Sequence, residues 1–285
     1  MIKTVLEIVV DGLHVPREVY ELRYSLFISA ANRYFRKDEN RSEVLEPFPT
    51  CFYDFTTKTR LNDSLKQCIS SIPKLSEINY TISLPEETWA LLSWIFTNPL
   101  KIEAVKQSEV SDYMSEVLRE ETKLSTIPQP SNHCIRFDIT HEDPNLKKIF
   151  LAHKAKFGTF FAYHGSPRYN FHSIIHRGLR CSLSVGKGTY LTSHLETATL
   201  YSQEFSLSND VNRCANDPIK YCVSIVEVVK HPSVTVTHNY DVDKTAKVLE
   251  ECKFEVSSSK RHRYYVVNSD ELMRLRHLLV YYKLW

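Results

Sequence analysis

The sequence predicts an α+β protein in which a helical N-terminal domain is followed by a domain built on a largely antiparallel sheet. Three observations carry this reading. Apolar residues recur at helical spacing through the first ~120 residues, an uncharged stretch with two prolines interrupts the chain at 125–132, and short runs rich in β-branched and aromatic residues follow it. A chain of 285 residues, 42% hydrophobic and 25% charged, is long enough for two modest cores and too apolar to stay disordered.

In the first region, Tyr20 to Phe35 carries Leu22, Leu26, Phe27, Ala30, Ala31 and Tyr34 at helical intervals, with arginine and asparagine on the other face. Glu46-Pro47-Phe48-Pro49 then imposes a turn, because each proline lacks an N–H and drives its predecessor toward extended geometry. A second helix is predicted over Glu86–Thr97, opened by Pro85. Trp89, Leu92 and Phe96 form one stripe and Leu91, Trp94 and Ile95 flank the other side, so this helix should be largely buried. A charged, helix-like stretch from Asp112 to Lys123 leads into Ser-Thr-Ile-Pro-Gln-Pro-Ser-Asn, which sets the domains at residues 1–124 and 133–285.

Beyond the linker, strands are expected at Ile135–Ile139, Thr159–Tyr163, Tyr221–Val229, Tyr264–Val267 and Met273–Tyr282. A helix from about Tyr169, with Phe171, Ile174 and Ile175 inward, should close at Gly178, and the capping box Ser193-His194-Leu195-Glu196 opens another that reaches Gln203 and carries Tyr201.

Composition excludes several functions. Lys and Arg total 36 against 34 Asp and Glu, which leaves no field with which to track a nucleic-acid backbone, so no nucleic-acid partner is expected. Seven scattered cysteines without a CxxC pair signal neither a zinc site nor a disulfide framework and fit a reducing compartment. His172 and His176 are four apart on their helix, but without an acidic or cysteine partner at ligand spacing a helix-surface role is favoured over a metal site. No secretory signal or uninterrupted membrane-length apolar run occurs.

Five of the six glycines fall between Phe157 and Tyr190, where ordinary turns or a binding cleft both explain them. The neighbours favour the cleft. An apolar strand ends in His164-Gly165-Ser166, placing polar side chains and a bare backbone together, and Gly186-Lys187-Gly188-Thr189-Tyr190 enters the next strand. The spacing fits neither a P-loop nor a dinucleotide fingerprint, and Ser166 lacks the Gly-x-Ser-x-Gly elbow of a hydrolase nucleophile.

His164-Gly165-Ser166, then Gly186-Lys187-Gly188-Thr189-Tyr190, then Tyr201, resembles the catalytic fold of diphtheria-toxin-like ADP-ribosyltransferases of the poly(ADP-ribose) polymerase family. Ser25-Leu26-Phe27, Pro47-Phe48-Pro49, Leu92-Ser93-Trp94-Ile95 and Leu278-Leu279-Val280-Tyr281 resemble a mono-ADP-ribosyltransferase member of that family, so the likeness spans nearly the whole chain and makes the helical domain a regulatory-like region.

The resemblance implies NAD⁺ as co-substrate, with no metal, and protein side chains, this protein's own included, as acceptors. It implies a catalytic triad of His164, Tyr190 and Tyr264, the last with Tyr265 adjacent, and NAD contacts from His164, Gly165, Ser166, Tyr190 and Tyr201. Chain-elongating members carry glutamate in the third position, so tyrosine there implies transfer of single units. Ala198 departs from the polymerases, which have a serine that bonds the nicotinamide amide. The alternative is a catalytically weak or inactive NAD-binding scaffold of the same fold, against which the intact His164 and Tyr190 count. The resembled member continues into a tail anchor in the endoplasmic reticulum membrane, whereas this sequence stops at Trp285. The expected location is therefore cytoplasmic or, if an anchor is missing from the chain, the cytosolic face of that membrane.

Overall fold

The first region folds around α1 (Ile2–Val9), α2 (Arg17–Tyr34), α3 (Asn62–Ser71) and α4 (Glu86–Thr97). The structure, a computed structural model, describes residues 2–13, 15–35, 45–97, 102–104, 134–140, 143–181, 188–202, 219–237 and 263–283. Helix α4 has the predicted bounds and buries Trp89, Leu91, Leu92, Ile95 and Phe96. Helix α2 starts one turn earlier than Tyr20, after Pro16, with Arg17 paired to Glu21 at 2.7 Å. Its arginines do not all face water as the sequence suggested. Arg23 is buried and donates to the Phe96 carbonyl at 2.6 Å, because the last turn of α4 has carbonyls without helical partners and a cation there is also favoured by the negative end of the helix dipole.

Among the described residues, the second region is built on the strands β3 (Ile102–Ala104), β4 (Cys134–Ile139), β5 (Thr159–Gly165), β6 (Thr189–Thr192), β7 (Ile219–Val229), β8 (Thr235–Thr237), β9 (Tyr264–Val267) and β10 (Met273–Tyr282). They form an eight-stranded sheet, antiparallel throughout, in the order β3-β4-β10-β7-β5-β6-β9-β8. A separate two-stranded ribbon joins β1 (Tyr53–Asp54) to β2 (Thr59–Arg60). All five predicted strands are present. Strands β3 and β8 have three residues each, too short to show a period of two, and β3 comes from within the 1–124 stretch read as helical. The linker at 125–132 and the helix-like stretch before it lie outside the described residues.

Among the described residues, three further helices accompany the sheet: α5 (Pro144–Phe157), α6 (Phe171–Arg177) and α7 (Leu195–Ser202). Helix α5 is not among the predicted elements, yet its start is written in the sequence. Pro144 occupies the first turn, and the Asp143 carboxylate accepts from the amides of Asn145 and Leu146 at 2.8 and 3.4 Å. Helix α6 follows a single 3₁₀ turn at Arg168–Asn170 and ends, as predicted, at Gly178, whose φ of 74° is costly for any side chain. Helix α7 begins one residue later than a Ser193 cap requires, because the Ser193 hydroxyl accepts from the Arg263 amide instead.

One core lies between the sheet and α2, α5 and α6, around Leu22, Leu26, Phe137, Phe150, Phe171, Val226 and Leu278. A smaller one, with Phe161, Tyr163, Val223, Ile225 and Leu279, packs against Ala198 of α7. Among the described residues no helix is long and apolar enough to cross a membrane.

Candidate active site

Strand β5 is unlike on its two edges. Toward β7 it is paired at every residue from Thr159 to Gly165; toward β6 it is paired only at Tyr163↔Thr192. Alternation along the strands fixes which way each peptide group points. The Ser193 amide bonds the Arg263 carbonyl, so the peptide groups of Thr192 and Tyr190 face β5, and those of Tyr163 and Gly165 face β6. The N–H and C=O of Gly165 thus lie beyond the last rung.

In that gap the His164 imidazole replaces the ladder. Its Nδ1 lies 2.9 Å from the Tyr190 carbonyl, and because a carbonyl only accepts, Nδ1 carries the proton and Nε2 is left as an acceptor. Burial pulls the His164 pKa below its ordinary value while the carbonyl bond pushes it back up, and the net direction is down, so the ring is neutral at pH 7.

Two glycines hold this edge in shape. A Cβ on Gly165 would stand 1.8 Å from the Ala198 carbonyl oxygen, since the strand end runs directly against the α7 backbone. Glycine is therefore required here by the protein's own packing, beyond any approach of a ligand. Gly188 has φ +113°, and a Cβ there would meet Asn268 Oδ1 at 2.2 Å.

Tyr190 pairs with Val266 and Thr192 with Tyr264, so alternation puts Tyr190, Thr192 and Tyr264 on one face and sends Tyr265 to the other, where its ring lies 4.6 Å from that of Phe160. The neighbouring tyrosines are distinguished by register. Tyr264 is half-buried, and burial, with Tyr201 nearby, raises its pKa against a hydrogen bond with Thr197 that lowers it. Thr197 and Tyr201, four apart on α7, both reach Tyr264; sequence reasoning missed Thr197, although that i,i+4 spacing placed it beside Tyr201.

His164, Gly165, Tyr190, Tyr201 and Tyr264 are thus gathered around the open edge of β5 and the adjoining α7, with Tyr201 43% exposed at the helix end. Ser166 is also adjacent but buried, its hydroxyl accepting from the Asn170 side-chain amide at 2.8 Å and keeping its own proton to donate. Gly186 and Lys187 lie outside the described residues.

The expected surface position needs correction at His172, while His176 is half-buried. His172 is 3% exposed, its Nε2 donating to the Pro47 carbonyl at 3.1 Å and its ring against Phe27 and Trp94. Burial drives its pKa down to about 4, against the carbonyl bond. His176 donates from Nδ1 to the His172 carbonyl at 2.6 Å. Helix α6 is sandwiched between the sheet and the helical region, so the face read as solvent-facing is an internal interface. Among the described residues there is no group of three or more His, Cys, Asp or Glu able to hold a metal ion.

Residues 129–283 match the poly(ADP-ribose) polymerase catalytic domain, and residues 17–96 match the ARTD15 N-terminal domain. The chain is 31% identical over 271 residues to the mouse protein mono-ADP-ribosyltransferase PARP16, and 32% identical over 267 residues to its human counterpart. Each alignment covers 92% of this chain and 78% of the relative.

Proposed function

The chain belongs to the poly(ADP-ribose) polymerase family, and from that premise we propose that it cleaves NAD⁺ and transfers single ADP-ribose units to protein side chains, its own included. The bond that breaks joins ribose C1′ to the pyridinium nitrogen. Nicotinamide takes the bonding pair and leaves neutral, so no acid is needed, and the acceptor attacks the C1′ that carries the positive charge. Orientation then provides much of the rate.

Each site residue has a role in this reading. The Gly165 N–H donates to the nicotinamide carbonyl and its C=O accepts from the amide NH₂, a pairing supported by a peptide group turned to the edge where the ladder has stopped. His164 Nε2 accepts from an adenosine-ribose hydroxyl, as its Nδ1–H bond to Tyr190 leaves it free to do. Ser166 supplies a hydroxyl beside Gly165. Tyr190 and Tyr201 flank the pyridinium, where a cation–π contact adds about 0.5 to 2 kcal/mol that fades as the ring loses its charge.

The observation that carries the single-unit reading is Tyr264. A phenol can act as a base on an incoming ADP-ribose hydroxyl only when ionised, and burial raises the pKa of this one further above neutrality. It remains a neutral donor and acceptor that orients the ribose. NAD⁺ is the co-substrate, with no metal in the chemistry. Among the described residues, Cys51, Cys68, Cys134, Cys181 and Cys222 form no disulfide, which supports a place on the cytosolic side of the cell. Nicotinamide release on incubation with NAD⁺ tests the enzyme reading: release by the wild type and its loss in His164→Ala and Tyr190→Ala, with native circular dichroism, is the expected result. Binding without release identifies a scaffold instead.

A further inference from the structure

Strand β5 leaves the sheet through a short turn, Ser166 to Asn170, and the helical region grips that turn. Arg168 is 3% exposed and stands where three distant stretches of chain meet. Its Nη1 donates to the carbonyl of Ile219, the first residue of β7, at 2.6 Å, and its Nε to the Ser29 hydroxyl of α2 at 3.5 Å. The Arg33 guanidinium of α2 lies 5.4 Å from the Tyr169 ring centre. Within the turn, the Asn170 amide donates to Ser166, the residue next to Gly165, at 2.8 Å. Displacement of the turn is thereby passed to the edge that reads the dinucleotide.

The geometry points to Arg168 as a positioning residue, through which the helical region sets the pose of the His164–Ser166 edge and so the affinity for NAD⁺. This rests on the NAD⁺ reading above. An apolar side chain would fill the same buried space, so packing alone does not call for an arginine. What arginine adds is a rigid fork able to serve two acceptors at once, one on each structural region. Without it, the turn must be ordered when the ligand arrives, and affinity falls although no ligand contact has been removed. The helical region touches the site by this route, and changes on the α2 face are read out at Gly165.

Calorimetric titration of the full chain with carba-NAD⁺, in which a methylene replaces the ribose ring oxygen and the bond to nicotinamide survives, tests the inference. Arg168→Met is expected to weaken binding about tenfold by loss of preorganisation. Arg168→Lys, which keeps one donor for Ile219, is expected to recover to within about threefold of wild type. Ser29→Ala cuts only the helical end of the tie and should weaken binding about twofold to threefold with unchanged melting, which covers the case in which Arg168→Met folds poorly. Leu65→Val, in the helical core and fully buried, serves as a variant that only loses stability, and its Kd should stay at the wild-type value. Absence of binding by the wild type overturns the NAD⁺ reading itself. Wild-type binding with wild-type affinity in Arg168→Met and Ser29→Ala overturns the positioning role, as does an equal loss of affinity in Leu65→Val.

Discussion

The edge of β5 that faces β7 and the edge that faces β6 belong to one strand but follow opposite rules. On the β7 side every residue is paired, and Glu227, its side chain 2% exposed, meets Lys154 at 2.7 Å, Thr159 at 2.9 Å and, as an ion pair, Arg276 at 2.8 Å. On the β6 side one rung is followed by an imidazole, a bare peptide group and three tyrosines. On the first edge charged and polar groups meet partners within the fold, whereas on the second they face the candidate site. Stability and affinity should therefore respond to different substitutions on the two sides of one strand.

The largest effect that would break this contrast is at Gly165. Its Cβ would collide with the Ala198 carbonyl, a backbone atom with nowhere to go, so Gly165→Ala must separate strand from helix. Nicotinamide release is expected to fall on the order of 100-fold or more, the scale of a misplaced reacting group. Retained turnover would show that α7 and β5 are not in contact in solution.

Substitution on the opposite edge should do the reverse. Burial pushes the Glu227 carboxyl up, but Lys154, Arg276 and Thr159 prevail and hold it below its usual value. Glu227→Gln is expected to cost about 2 to 3 kcal/mol in urea unfolding, less than a wholly buried pair because the Lys154 side chain is 42% exposed and can return to water. Affinity for NAD⁺ in the folded fraction should not change, and a shift in affinity would merge the two edges into one cooperative unit.

A smaller effect sharpens the comparison on helix α6, just past the turn leading away from β5. His172 has a folded pKa of about 4, below the 6.5 of a free histidine. In that window the unfolded chain binds the extra proton, so the stabilisation is complete above pH 6.5 and is lost as pH falls toward 4. From pH 7 to pH 5 this amounts to about 2 kcal/mol. Denaturant unfolding of wild type and His172→Leu at both pH values should show the acid loss in the wild type and its relief in the variant. Equal slopes would mean that this imidazole is not buried.

Much of the fold and site is legible in the sequence, and the exceptions have physical causes. Helix α4, the strand from Tyr264 to Val267 and the Gly178 cap can be read because period, register and positive φ each leave a local mark. The His164-Gly165 motif marks the candidate site, but the need for glycine against Ala198 is a contact between residues 33 positions apart and is written in no local pattern. Polarity predicts exposure for Arg23 and His172, whereas each pairs with a backbone carbonyl from another segment, Phe96 or Pro47. The choice between Tyr264 and Tyr265 needs the β6–β9 register, which depends on pairing across the sheet.

The most direct test is the chemical form of the product. Protein incubated with NAD⁺ and then digested with phosphodiesterase releases AMP alone if every acceptor carries one ADP-ribose, and this account predicts AMP as the sole adenylate. Phosphoribosyl-AMP, which arises only from units joined ribose to ribose, would contradict it by showing that a tyrosine in the third position sustains chain growth.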